Sequence, residues 1–468
     1  PVYYRRGKES PMKWRIILTV LFVLTLFAAF AYLYVNTFVR KHQHAVILFV
    51  VNGLDLNTLN LARQQVGRGA LQADPDDPAI GDARRRVAIR SQVLNVDSFW
   101  NVALMSIQQP GQPVPDEGAN ATALACGQRV ENGFVAMNSR NEPLRSLIYA
   151  AEQAGRATGL VTTSSLVQPT PVAFYSNTQG TPEPYRNAAD LLYSRIDVIL
   201  GGGESYFIPA NATNERGRRD GRNLVDEAKG RGYTTLRTRD ELNKVSAWRT
   251  RELIGLFAPE QFYFSSLEPI PARQPTLAEM TSAAISSLNY NIGGYFLVVE
   301  HGLVAQASGQ NLGKLSINEV AVVDEAIQAA VEYAGPDALV MVTNSYGLGA
   351  VGPMLPVAPL GTTAASAAVK KIPSDVPVVP PAPPSWATGP GGPPSGPSDA
   401  AWLREQYAEG TFSTNAPGLM QPQPAFQFQT RASATAEPAW LISRGEGSSQ
   451  LRGFFNNTDL PDLVSEQF

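Results

Sequence analysis

The sequence predicts an α/β fold: a mostly parallel central sheet flanked by helices, preceded by one transmembrane helix. Three observations carry that prediction. Residues Gly294 to Gly302 (GYFLVVEHG) and Ala338 to Gly349 (ALVMVTNSYGLG) are runs of β-branched and aromatic residues that break off at short polar tips, the pattern of strands buried on both faces. Such runs alternate along the chain with segments of helical periodicity. An unbroken apolar run of twenty residues, Ile16 to Val35, lies ahead of them. In open α/β sheets chemistry sits at the carboxyl ends of the strands, and here those tips carry few groups able to do chemistry.

Composition fits a globular body. Charged residues make up 17% of the 468 positions against 44% apolar, and the net charge of -3 is spread without long runs, which argues against a nucleic-acid-binding surface. The single cysteine, Cys126, sits among alanines, so no internal disulfide forms and a buried, inert thiol is expected. Only three histidines occur, His42, His44 and His301, which is few for a metal enzyme.

The run from Ile16 to Val35 is flanked by Trp14 and contains Tyr32 and Tyr34 near its end, as a membrane-spanning helix would. A cleaved signal peptide with an Ala29-Phe30-Ala31 processing site is the rival, but its apolar stretch would be too long. Arg5, Arg6, Lys8, Lys13 and Arg15 precede the run and only Arg40 and Lys41 follow. This bias predicts a cytoplasmic (inner) membrane protein with a cytoplasmic tail at 1–13, a helix at 14–36 and a body in the periplasm or outside the cell.

Ala45 to Val51 reads as a buried strand ending at Asn52-Gly53, and Asp55, Leu56, Leu59, Ala62 and Val66 begin an amphipathic helix. Residues 92–108 show no clear period, and an Ala-rich helix follows from Ala119 to Cys126. Leu144, Leu147, Ile148, Ala151 and Ala154 repeat at helical spacing up to Gly155, before a strand from Thr158 to Thr163. Asp197 to Leu200 is a strand that runs into Gly201-Gly202-Gly203, read as a flexible turn without phosphate-loop spacing. Thr276 with Glu279, and Ser316 with Glu319, have the spacing of capping boxes, and Gly335-Pro336 ends the second helix. Thirteen prolines fall between Pro353 and Pro397, so 353–400 is expected to be an extended insertion, with a helix at Ala401 to Ala408 and a strand at Ala439 to Ser443 after it. The body is thereby divided into 37–352 and 401–468.

From about His44 onward these segments resemble the alkaline phosphatase family. Ala45 to Gly53 is similar to its first strand with a metal-binding Asp-Gly, and Pro115 to Gly127 (PDEGANATALACG) to its nucleophile segment. Ala157 to Tyr175, Ile196 to Phe207, Pro275 to Gly302 and Arg444 to Leu460 resemble further segments in the same order. The resemblance implies a serine nucleophile, two zinc ions and a magnesium ion acting on phosphate monoesters. It also implies which positions should supply them, and most depart from the pattern. The bridging Asp position holds Asn52; beside the retained Asp116, the nucleophile position holds Glu117. Gln168 replaces a magnesium-site residue whose companion hydroxyl survives as Thr170, and the magnesium Glu survives as Glu300. Ala305 and Gly309 stand where an Asp and a His are expected, Ser345 and Tyr346 fall in the Thr-Ala-Asp-His-Glu signature, and Ala434 falls near the last zinc His.

A set so depleted of imidazole and carboxylate does not gather the three or four ligands that zinc requires, so neither a metal nor another cofactor is expected. Glu117 as a nucleophile would repel a phosphate dianion in the absence of cations. Thr170 and Glu300 read either as a weak magnesium site or as residues hydrogen-bonded to local backbone. His301 and Glu300, adjacent on one strand, point to opposite faces and do not share an ion. The expectation is a membrane-anchored pseudoenzyme serving as a structural or docking subunit on the extracytoplasmic side. Its partners would be the lipid bilayer and membrane protein subunits met through Ile16 to Val35 and the Pro-rich arm, with a homodimer as a further form. The alternative is a membrane-anchored phosphatase or related ester hydrolase with a metal-poor site. Sequons at Asn120, Asn211 and Asn456 matter only in a glycosylating pathway.

Overall fold

A computed structural model describes residues 11–34, 45–71, 94–108, 114–179, 182–247, 250–267, 270–348, 351–353, 384–389, 425–428 and 437–468. Its strands, in chain order, are β1 (Ala45–Val51), β2 (Asn101–Ser106), β3 (Phe134–Val135), β4 (Ala157–Ser165), β5 (Thr178–Gln179), β6 (Val198–Gly202), β7 (Thr234–Leu236), β8 (Leu253–Ala258), β9 (Tyr295–His301), β10 (Leu339–Thr343), β11 (Val351–Pro353), β12 (Pro384–Gly389), β13 (Ala425–Phe428), β14 (Ala439–Arg444) and β15 (Gly453–Asn456). Ten of them form one sheet in the order β15-β2-β14-β10-β1-β9-β4-β6-β8-β7. Only β14 runs against its neighbours, so the predicted mostly parallel sheet is present.

The central strands have no polar face because both faces are covered. Every residue of β1 and β9 is buried. Ile47, Phe49, Leu297 and Val299 pack on one side with Met280, Ala284, Val320 and Val323 of the helices Leu277–Leu288 and Gly313–Ala334. Val46, Leu48, Phe296 and Val298 pack on the other with Leu124, Ile148 and Leu191 of the helices Glu117–Cys126, Leu147–Gln153 and Pro184–Tyr193. Alternation along each strand sends neighbouring side chains to opposite layers, each worth about 1.5–3 kcal/mol when fully buried.

Local signals explain the helix ends. Thr276 and Glu279 form the expected capping box, with Glu279 N–H donating to Thr276 Oγ1 at 3.1 Å and Thr276 N–H to Glu279 Oε2 at 2.8 Å. Gly155, at φ 78°, follows the helix that stops at Gln153, the left-handed position that favours glycine. The N-terminal helix spans Pro11–Tyr34, and its segment Trp14–Tyr32 is long and apolar enough to cross a membrane. Its two threonines satisfy themselves: Thr19 and Thr25 each donate to the carbonyl four residues earlier, at 2.8 Å.

Several expectations are corrected. The segment without a clear period contains β2, whose side chains alternate buried and exposed, yet Val102 and Leu104 on its exposed side are apolar. That composition erases the polar half of the alternation. Ser316 and Glu319 do not cap a helix; they lie inside Gly313–Ala334, fully buried, with Ser316 Oγ 2.9 Å from Ser308 Oγ and Glu319 Oε1 accepting from Ser265 N–H and Oγ at 2.7 and 2.8 Å. Cys126 is half-buried rather than buried, with desolvation pushing its thiol up to about 12. Within the Pro-rich region β12 is extended, as composition predicts, but it is paired, antiparallel to β11 and parallel to β13. The expected helix at Ala401 to Ala408 and the residues His42, His44 and Ala434 lie outside the described residues. Of the sequons, Asn120 is buried within a helix whereas Asn211 and Asn456 are exposed.

Gly201 and Gly202 do not form a flexible turn either; both are buried in β6. A Cβ on Gly202 would lie 2.0 Å from the Glu260 carbonyl oxygen, which itself accepts from Gly203 N–H at 2.6 Å. Gly202→Ala is therefore expected to cost about 3 kcal/mol through backbone displacement, read as a lowered urea midpoint. An unchanged midpoint would show that this crossing is loose.

Candidate functional site

In-register pairing sets the ends of β1, β9 and β10 side by side: Val51 opposes His301 and Val50 opposes both Glu300 and Thr343. The chain leaving β1 is pinned there by Asn52 N–H donating to the His301 carbonyl at 3.2 Å and Gly53 N–H to that of Tyr346 at 3.1 Å. Gly53 has φ 77°, and a Cβ there would meet Ala305 Cα at 2.6 Å. Helix Leu303–Gly309 therefore comes up against the turn only because residue 53 has no side chain.

Asn52 lies at the middle of the site. Its Nδ2 donates to Thr170 Oγ1 at 2.8 Å and Glu300 Oε1 at 2.9 Å, and reaches Glu117 Oε1 at 3.4 Å; its Oδ1 accepts from Ser345 Oγ. Thr170 Oγ1 donates to Glu117 Oε1 at 2.8 Å. Ser164 Oγ donates to Glu300 Oε1 at 3.2 Å, and Thr162 Oγ1 bonds Glu300 Oε2. Thr170 and Glu300 are thus held by side chains brought from elsewhere in the chain, whereas the sequence had left open a weak magnesium site or hydrogen bonds to local backbone.

Burial determines the charge of this cluster. Glu300 is fully buried, and desolvation pushes its carboxyl up from 4.5 to about 8, with the Glu117 charge adding to the rise. Glu117 is also raised, by desolvation first, against the opposing hydrogen bonds from Thr170. Desolvation together with the two acids raises the Tyr346 phenol well above its usual range. Near neutral pH the pair holds at least one proton, and the amide N–H groups of Asn52 supply the remaining positive character.

Above the cluster is a cavity of about 230 Å³ lined by Asn52, Glu117, Ser164, Gln168, Gln261, Ala305, Gln306 and Tyr346, among others. Of the residues singled out from sequence, Asn52, Glu117, Gln168, Ala305 and Tyr346 reach this cavity, while Thr170, Glu300 and Ser345 lie in the hydrogen-bonded layer. Asp116 is the N-cap of the helix that begins at Glu117, accepting from Ala119 N–H at 2.8 Å and Gly133 N–H at 2.6 Å. Gly309 ends its helix and does not line the cavity. Sequence reasoning missed Thr162 and Ser164; their signal was the hydroxyl-rich end of β4, alongside the strand that carries Glu300. His301 faces the other layer, with Nδ1 3.0 Å from Thr163 Oγ1 and Nε2 3.3 Å from Glu319 Oε2.

The profile of the alkaline phosphatase family matches residues 44–353, and this chain belongs to that family. The human tissue-nonspecific alkaline phosphatase isozyme is 30% identical over 384 residues, covering 73% of this chain and 67% of that protein. Alkaline phosphatase 4 of Bacillus subtilis is 31% identical over 260 residues, 53% of either chain. Among solved structures, the alkaline phosphatase of Thermus thermophilus superposes with a TM-score of 0.64 at 20% identity over 92% of both chains. That of an Antarctic bacterium gives 0.61 at 18% identity over 91% of this chain and 98% of its own. These likenesses establish the alkaline-phosphatase-like fold.

The residues present do not fit the family's two zinc ions and magnesium. Nδ2 of Asn52 directs hydrogens, not lone pairs, at the oxygens that would share a cation, and an N–H donor is no ligand. Among the described residues no three of His, Cys, Asp and Glu converge. Glu117, Thr170 and Glu300 come nearest to a hard-cation set, and the Asn52 amide lies between them.

Proposed function

We propose that this chain is a non-catalytic member of its family, a pseudoenzyme that serves as a structural or docking subunit of a membrane protein complex on the extracytoplasmic side. The observation that carries the first half is the Asn52 amide, hydrogen-bonded to Thr170 and Glu300 and within reach of Glu117. A site built for cations leaves its carboxylates to the metal; here each acid is already partnered by protein donors. Glu117, its carboxyl raised by desolvation and already accepting a hydrogen bond from Thr170 Oγ1, is a poor nucleophile toward a phosphate dianion.

The second half is supported by the N-terminal apolar helix, by the excess of Lys and Arg before it, and by the Pro-rich region, whose composition suits lying extended along a partner. Purification in mild detergent is expected to recover stoichiometric partner subunits; a lone monomer, or a homodimer alone, counts against that half. Metal analysis and a chromogenic phosphomonoester assay on the full chain are expected to find no bound zinc and no turnover above background. Stoichiometric zinc, with turnover abolished by Glu117→Gln or Glu300→Gln, would establish the hydrolase reading instead.

A further inference from the structure

Outside the N-terminal helix, the most exposed large apolar side chain described is Ile292, at 86%. It lies on the turn from helix Leu277–Leu288 into β9, close to Tyr290, which is 52% exposed. Tyr333, 54% exposed, lies at the end of helix Gly313–Ala334 ahead of β10. Tyr193, 51% exposed, ends helix Pro184–Tyr193 ahead of β6, and the Arg231 guanidinium lies 3.9 Å from its ring centroid. Because β6, β9 and β10 all run parallel with β1, these turns belong to the end of the sheet at which β1 starts.

That is also the end at which the chain arrives from the apolar helix. Ten residues separate Tyr34 from Ala45, and covalent geometry allows them to reach no farther than about 40 Å. Exposed tyrosines and an isolated aliphatic tip match the boundary between lipid headgroups and acyl chains, where amphipathic rings are favoured. At the lip formed by Tyr290 and Ile292 there is also a cavity of about 310 Å³, lined in part by Arg251 and Asp197. Arg251 is exposed, as are Glu252, Glu332 and Asp337 nearby, so the surface carries mixed charge and its affinity does not depend on anionic lipid.

We propose that this end of the sheet is a bilayer-contact surface, with Ile292 and Tyr290 entering the headgroup boundary and Tyr193 and Tyr333 flanking them. The proposal rests on the reading of the N-terminal helix as a membrane anchor. It fixes an orientation: the strand tips around Asn52 then face away from the membrane, presenting the former catalytic face to whatever approaches from the aqueous side.

The test uses the full chain with Cys126→Ser, reconstituted in phosphatidylcholine nanodiscs and labelled with an environment-sensitive fluorophore at Ile292→Cys. Parallel preparations carry the label at Phe22→Cys in the apolar helix or at Tyr263→Cys, an exposed site following the opposite end of β8. Lipids spin-labelled near the headgroup should quench residue 292 several-fold more than residue 263, and lipids spin-labelled deep in the acyl chain should quench residue 22, which lies near the middle of the apolar segment. Equal quenching at 292 and 263 while residue 22 is quenched overturns the contact surface and leaves the anchor standing. No quenching at 22 removes both. A label at 292 shielded from aqueous quenchers but untouched by lipid quenchers means that a protein covers this face, and also overturns the proposal.

Discussion

Asn52→Asp is expected to destabilise the fold by on the order of 3–5 kcal/mol near neutral pH, more than Asn52→Ala, although it differs from the natural residue by a single group. The amide donates to Thr170 Oγ1 and Glu300 Oε1, so a carboxylate there removes donors and adds a third acid to two whose own ionisation burial already opposes. Alanine removes the donors without adding charge. The loss in the Asp variant should shrink as pH falls, because a protonated carboxyl can again donate. Millimolar magnesium should raise the thermal midpoint of Asn52→Asp and leave the natural chain unchanged, since three acids around Thr170 form an oxygen set suited to a hard cation. Thermal unfolding in chelator and in magnesium decides the matter. If Asp and Ala variants melt together at neutral pH, the amide does not act in place of positive charge.

The fold was legible in the sequence where side-chain chemistry and environment agree. β1 is apolar throughout, and β9 and β10 are apolar up to the polar tips that begin at Glu300 and Thr343, because both faces of these strands are covered. β2 was hidden because apolar Val102 and Leu104 occupy its exposed side. Ser316 and Glu319 have the spacing of a cap, but a spacing rule does not see Leu312 and Gly313 starting the helix earlier, nor Ser265 supplying two hydrogen bonds to the carboxylate. The site divides in the same way. Resemblance located Asn52, Glu117, Thr170 and Glu300 one at a time, and each was visible as a departure or a survivor. That one amide bonds two of the others and reaches the third is a property of three separate chain crossings, to which sequence spacing is blind.

Stability is expected to fall as pH rises from about 5 to 8, and Glu300→Gln should remove part of that fall. A Glu whose carboxyl is raised from 4.5 to about 8 in the folded chain keeps a proton that the unfolded chain gives up. Its contribution is complete below the unfolded value, declines through the interval and is gone above the folded value, at about 1.4 kcal/mol per pH unit for each proton released. Glu117 is raised by the same desolvation and acts in the same direction. So do Asp55 and Glu152, which burial raises to about 6 and about 7, and the natural chain therefore has more than one source for the slope. The difference between natural chain and variant isolates Glu300. A glutamine can donate to Thr162 Oγ1 while still accepting from Asn52 Nδ2, so it mimics the protonated acid without titrating. The two proteins should match near pH 5 and diverge toward pH 8, with Glu300→Gln the more stable. A residue required as a charged metal ligand would give the opposite order, and equal slopes for both proteins would show that Glu300 is ionised in the fold.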